Sequence, residues 1–257
     1  MALPPPKYEL IPLRNAIEQA AFLPPGATVT VTASPTRGIE PTLDLAEHLA
    51  SQGFEAVPHL AAHQFEDSEH LDMVLRRIRD AGITKAFVIG GDGPAQGVYP
   101  DALSLLQAIR TSDASPAEIG IGGYPEGHPS IPADKLLAAL VAKAPLADYI
   151  TTQMCFDPGA IRRWIESIRA AGITLPVHLG LPGAIDPAKL LTISARIGVG
   201  ESARYLRKNR GVLSWLLPWR RPDAHRILTA LDCAALGIER AHLFTFNQVE
   251  ATVRAWG

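Results

Sequence analysis

Two carboxylates stand out by their settings. Glu9 sits inside an otherwise apolar stretch, YELIPL, that reads as a strand. Asp92 follows a short apolar run, Ala86 to Ile89, and two glycines, in KAFVIGGDGP. That run has no polar alternation, as in a strand buried on both faces, and the glycines and Pro94 end it abruptly. Asp92 is thereby delivered to the mouth of something buried, unless it only caps the next turn. An inward-facing Glu9 is desolvated, which raises its pKa and suits a general acid; an outward Glu9 is a strand-end surface acid. Further polar residues fall at the ends of apolar runs: Thr32, His59, Tyr124, Glu126, His128, Gln153, and Asn247 with Gln248.

Other chemistries find less support. His59 and His63 are four apart, with Glu66 and Asp67 behind them, but they straddle a strand end and a loop, where ligand geometry is not assured. No metal is expected. GGDGPAQG lacks the Lys-Ser/Thr of a P-loop and the spacing of a dinucleotide fingerprint. Neither Cys155 nor Cys233 has a histidine at a recognisable spacing, and no serine nucleophile elbow is present.

The elements that must position these side chains follow from periodicity and breakers. Strands are expected at 8–13, 28–33, 55–60, 86–89, 118–124, 148–155, 176–181 and 241–246. Helices are expected at 16–22, capped by Asn15; 41–51; 68–81, capped by Ser68; 100–110; 133–142; 158–171; 187–197; 201–206; 222–236; and from Val249 onward. One signature recurs at the helix-to-strand joins. Residues 81–84 and 171–174 both read AGIT, 52–54 read QGF and 236–238 read LGI, the pattern of a left-handed glycine ending a helix before an apolar residue packs back on it. Eight strand–helix alternations make an α/β chain, expected as a single (β/α)8 TIM barrel over 1–257, with a doubly wound sheet as the alternative. In a barrel the C-terminal strand ends converge, so residues distant in sequence share one pocket. The aromatic segment 211–222, GVLSWLLPWRRP with Trp215 and Trp219, reads as a lid or a plug, a subunit contact or a flap.

Composition bounds the rest. The chain has 257 residues, 47% hydrophobic, which is enough for a full core, and a net charge of −2 with both signs mixed, unlike a nucleic-acid binder. No apolar run is long enough to span a bilayer, and the N-terminus carries no secretory pattern. Two cysteines build no disulfide framework, so a reducing cytoplasm is expected.

At these residues the sequence resembles the methylenetetrahydrofolate reductase family, whose catalytic domain is a (β/α)8 barrel. The similarity runs in order along nearly the whole chain: YELIPLR, TVTASPTRG, VPHL, IGGDGP, GGYPEGHP, TTQMCFD and LFTFNQ each resemble a family motif. Single motifs are weak; seven in register are strong. The resemblance implies reduction of 5,10-methylenetetrahydrofolate to 5-methyltetrahydrofolate with hydride from NADH or NADPH, within one-carbon metabolism and methionine biosynthesis. It places Glu9 on the general acid that protonates N10. It places Asp92 on the acid that contacts the pterin and stabilises the N5 iminium, Gln153 on a pterin-binding amide, and Tyr124 at the folate and cofactor. Thr32, His59 and His128 fall on cofactor-binding positions.

The sequence also departs from the family. Gly90 stands where the family has a flavin-contacting arginine. The helix DKLLAALVAK is mostly aliphatic where the family carries flavin-phosphate ligands, and only Lys135 and Lys143 could supply charge, neither in register. Gln248 replaces the closing arginine, and DPAKLLTIS has no clear counterpart of the family's folate-contacting residues. A diphosphate binds poorly without a cationic or amide cradle. The pattern resembles the flavin-free branch of the family: NAD(P)H as direct donor, FAD absent. A non-catalytic folate-binding paralogue, a complex subunit, and a flavin enzyme with a rebuilt phosphate site are the alternatives. Expected partners are a tetrahydrofolate derivative and NAD(P)H, with no nucleic acid and no membrane; oligomeric state is open.

Overall fold

The fold is taken from a computed structural model, which describes residues 3–91, 97–128, 130–184 and 224–256. Eight parallel strands close into a barrel in sequence order: β1 (Lys7–Leu10), β2 (Thr28–Val31), β3 (Glu55–Ala61), β4 (Lys85–Ile89), β5 (Glu118–Gly123), β6 (Tyr149–Thr152), β7 (Val177–Pro182) and β8 (Ile238–Phe244). β8 pairs with β1 in the register Lys7↔His242 and Glu9↔Phe244, which closes the ring. The connecting helices described are α1 (Ala16–Ala20), α2 (Glu40–Ser51), α3 (Ser68–Asp80), α4 (Ala102–Thr111), α5 (Ala133–Lys143), α6 (Pro158–Ala170), α7 (Ala224–Thr229), α8 (Cys233–Leu236) and α9 (Val249–Trp256). The (β/α)8 expectation holds. Gly53, Gly82, Gly172 and Gly237, the four glycines of the helix-to-strand signature, all have positive φ. No described helix is long and apolar enough to cross a membrane.

The main core lies between the strands and the helices. Leu10, Val29, Val31, Leu60, Val88, Ile121, Leu179 and Leu243 are buried there against Leu43, Leu75, Leu105 and Ile165. The inner faces differ. Among the described residues, Val57, Phe87 and Tyr149, with Ile89 beside them, form a small apolar cluster inside the barrel. Gly120 leaves room for the Tyr149 ring: a Cβ there would stand 2.3 Å from it. Toward the N-terminal end, Lys85 bridges Glu55 at 2.9 Å and Glu118 at 2.7 Å. Thr28 donates to Glu55 at 2.6 Å and accepts from Arg240 at 3.3 Å.

Several local expectations are corrected. Asn15 makes no side-chain cap on α1; its Oδ1 accepts from Asn247 Nδ2 at 3.2 Å. Asp67 rather than Ser68 caps α3, accepting from the His70 N–H at 2.8 Å. The helix expected at 222–236 is broken between α7 and α8, where Asp232 caps the second piece through the Ala235 N–H. β8 begins at Ile238, ahead of the expected Ala241. The helices expected at 187–197 and 201–206, and the aromatic segment 211–222 with Trp215 and Trp219, lie outside the described residues.

Candidate active site

Strand alternation decides where Glu9 points. Tyr8 and Leu10 belong to the outer core, so Lys7 and Glu9 face inward. The Glu9 side chain is 13% exposed, and its Oε2 lies 3.2 Å from His242 Nε2. The end of β8 fixes the β1 backbone here. Thr245 Oγ1 donates to the Glu9 carbonyl at 2.5 Å. Asn247, held at φ 56°, accepts from the Ile11 N–H at 2.8 Å and donates to the Ile11 carbonyl at 2.9 Å. The TFN stretch that closes the barrel is thus a clamp on the strand that carries the acid.

Glu9 lines a cavity of about 1270 Å³ at the C-terminal strand ends. Thr32, His59, Tyr124, His128 and Gln153 line it as well, so the structure brings together six of the seven residues singled out as site residues. Asp92 lies outside the described residues; its neighbours Gly90 and Gly91 are on the cavity wall. Thr32 is fixed through its backbone, its carbonyl accepting from Thr42 Oγ1 at 2.9 Å. His59 is buried against Phe87 with ring centroids 4.7 Å apart. Burial pulls its pKa down to about 4, against the opposing pull of Glu9, so the ring is neutral at pH 7. Its Nε2 has no hydrogen-bond partner among the described residues. Tyr124 meets His128 edge-on at 5.3 Å, and His128 Nδ1 lies 3.2 Å from Ser130 Oγ. Gln153 is exposed to the cavity, with its N–H bonded to the Gly123 carbonyl at 2.7 Å.

Other candidates have structural work. Glu126 accepts from the N–H groups of Phe156 and Asp157 at the start of α6. Burial pushes the Cys155 thiol well above its usual range, and the thiol donates to the Gln153 carbonyl at 2.8 Å, which suits packing and not nucleophilic attack. His63 leaves the site to contact the Pro100 carbonyl. Among the described residues no group of three or more His, Cys, Asp or Glu is arranged to hold a metal.

The cavity extends from the mouth along α5 and α6. Leu136, Leu137, Leu140 and Trp164 line this arm, with Lys135, Lys143 and Arg163. Burial lowers the Lys143 pKa, against the pull of Asp101. The sequence reading included the two lysines but missed Arg163. It also missed His242, whose signal was present in RAHLF: His242 and Arg240 alternate with outward Ala241 and Leu243. A Cβ on Gly90 would meet nothing within 4 Å, so that wall position is open.

Comparison with known proteins gives a consistent result. Residues 4–192 match the family profile described as Methylenetetrahydrofolate reductase. Methylenetetrahydrofolate reductase 1 of Schizosaccharomyces pombe is 31% identical over 123 residues, covering 44% of this chain and 20% of that protein. Methylenetetrahydrofolate reductase (NADH) 1 of Arabidopsis thaliana is 30% identical over 164 residues, covering 54% of this chain and 28% of that one. The matched stretches thus span less than a third of these relatives' own length. Among solved structures, an uncharacterized protein from Clostridium thermocellum superposes with a TM-score of 0.67 at 12% identity, covering 97% of this chain and 94% of that one. At that identity the likeness concerns the fold. That protein is described as binding two copies of 5-methyl-5,6,7,8-tetrahydrofolic acid.

Proposed function

The chain belongs to the methylenetetrahydrofolate reductase family, and from that premise we propose that it reduces 5,10-methylenetetrahydrofolate to 5-methyltetrahydrofolate with hydride taken directly from NADH or NADPH. The observation that carries the reading is Glu9, an inward carboxyl on the wall of a cavity of about 1270 Å³. That volume exceeds the roughly 300–1,000 Å³ of an ordinary small-molecule site, which leaves room for a pterin and a nicotinamide together.

In this reading Glu9 gives its proton to N10 as the bond from the methylene carbon to N10 breaks and the electron pair stays on N10. The resulting N5 iminium accepts hydride at the methylene carbon, and NAD(P)H leaves as NAD(P)⁺. A carboxylate beside a developing cation is worth more in a water-poor cavity than in bulk; Asp92 is assigned that part, and Gln153 and Tyr124 the pterin. Thr32, His59 and His128 bind the donor. The arm along α5 suits the adenosine half, with Lys135, Lys143 and Arg163 as counter-ions for its phosphates. For a resident FAD the fit is poor at Gly90, which contributes no side chain to the cavity wall where the family's flavin-contacting arginine would stand. No step is routed through flavin. The chain is read as a single catalytic barrel working in the reducing cytoplasm, where Cys155 and Cys233 stay free.

The test is the visible spectrum of the purified protein, followed by NADH and NADPH oxidation with methylenetetrahydrofolate and no added flavin. Turnover by a colourless protein is expected. A yellow protein with stoichiometric flavin sinks the direct-transfer reading. The Clostridium thermocellum protein, described only by its folate binding, motivates the second reading, a binding protein without catalysis; tight folate binding without turnover supports it. Asp92→Asn is expected to weaken both binding and rate, and an unaffected rate removes Asp92 from the site.

A further inference from the structure

Resting on that reading, Glu9 loses one proton per turnover and must regain it. With folate and dinucleotide in the mouth, its cavity side is covered. Its other side faces a polar barrel interior. His242 Nε2 is 3.2 Å from Glu9 Oε2, and the register partner of His242 on β1 is Lys7, also inward. Lys7 is fully buried, with Nζ 3.8 Å from the Tyr149 ring centroid and 3.8 Å from Glu118 Oε1. Tyr149 stacks on His178 at 4.3 Å. Glu118, whose side chain is 33% exposed, pairs with Lys85 at 2.7 Å. This set runs from solvent at the N-terminal face of the barrel up to the acid.

Five atoms along it are buried without a hydrogen-bond partner among the described residues: Lys7 Nζ, Thr30 Oγ1, Tyr149 OH, His178 Nδ1 and His242 Nδ1. Buried polar atoms left unpaired are costly, and proteins satisfy them with internal water making about three hydrogen bonds each. Five such atoms lining one barrel interior supply the partners for a short chain of waters. We propose that this interior column is hydrated and returns the proton to Glu9 from the N-terminal face, with Lys7 midway and His242 as the last protein group. A proton accepted at His242 Nδ1 releases the one on Nε2 to Glu9 Oε2, and reorientation of the ring between turnovers presents its protonated nitrogen to Glu9 again. Lys7 suits a relay because burial brings its amine down to about 7, with Glu118 and Glu55 pulling up and Lys85 and Arg240 pulling down. Tyr149 and His178 face it as neutral rings; burial raises the pKa of the first and lowers that of the second.

The experiment separates the first turnover from later ones. In rapid mixing, Lys7→Met is expected to oxidise one equivalent of NADH at the wild-type rate, using the proton already on Glu9, and His242→Gln, which also removes the contact to Glu9, is expected to slow the later turnovers more than the first. Turnover then falls at least tenfold, with an enlarged solvent isotope effect on the steady-state rate only. A first turnover slowed as much as the later ones means these residues merely shape the site and overturns the route, as does an unchanged steady state. If Lys7→Met fails to fold, Lys7→Gln takes its place under the same criteria. A wild-type protein with no reductase turnover overturns the functional reading and the route together, whereas an active wild type with unaffected variants overturns the route alone.

Discussion

On their outer faces the strands carry Leu10, Val29, Val31, Leu60, Val88, Ile121, Leu179 and Leu243, packed against the helices. On their inner faces the same strands carry Lys7, Glu9, Thr30, His59, Lys85, Glu118, Thr151, His178 and His242, with a small apolar cluster among them. Barrel interiors are commonly filled by layers of branched aliphatic side chains; here most of that volume is polar. The contrast shows a division of labour along one backbone. The outer face supplies burial energy at about 25 cal/mol per Å², and that stability leaves the inner face free to hold desolvated groups that reactions use.

This comparison can be broken or sharpened in order of expected effect. Glu9→Gln, on the inner face, is expected to lower turnover by about 10³-fold while folate affinity by calorimetry stays within a few-fold; retained activity places the proton donor elsewhere. Leu60→Ala, its outer-face counterpart, is expected to cost about 2–5 kcal/mol in urea unfolding with unchanged kcat per folded molecule. A kinetic defect at full folding would mean the two faces are not separable.

Lys7→Met tests the cost of the polar interior. The folded-state pKa is lowered to about 7, so between there and the unfolded value the unfolded chain holds the extra proton, and wild-type stability rises with pH. The variant is therefore expected to be more stable than wild type by roughly 1–4 kcal/mol at pH 6, with the gap closing toward pH 10. A variant less stable than wild type at pH 6 would show that Lys7 is well satisfied. The smallest effect concerns acid. Burial holds His178 at about 2, so stability falls as pH drops below the unfolded value near 6.5, where only the unfolded chain gains a proton. His178→Phe is expected to flatten that limb by about 2 kcal/mol at pH 5. An unchanged pH profile in thermal melts would assign the acid limb to other groups.

Much of the barrel was legible because its signals are local. Strand lengths, the four glycine joins and the outer hydrophobic period all arise within one βα unit, where neighbouring residues decide the conformation. The site was legible in part. Glu9, His59 and Gln153 stood out as polar residues in or beside apolar runs, whereas Lys7, ahead of the strand expected at 8–13, did not. Misread features have non-local causes. Asn15 was expected to cap its own helix, yet its side chain pairs with Asn247, 232 residues away in sequence. The helix expected at 222–236 was one periodic run, but Asp232 can cap a new start inside it, a choice that local propensity does not settle.

By itself, then, the chain determined a succession of strands and helices, the outward apolar face that forces them to pack in layers, and an acid in the first strand. Tertiary structure alone decided what that acid meets. Closing β8 on β1 sets the register Lys7↔His242 and Glu9↔Phe244, and only that register brings His242 to Glu9 and the Thr245–Asn247 clamp to the first strand. The physical reason is that parallel pairing is fixed by backbone hydrogen bonds and shell packing summed over the whole ring, so the neighbours of an inward side chain come from strands that local sequence patterns cannot connect.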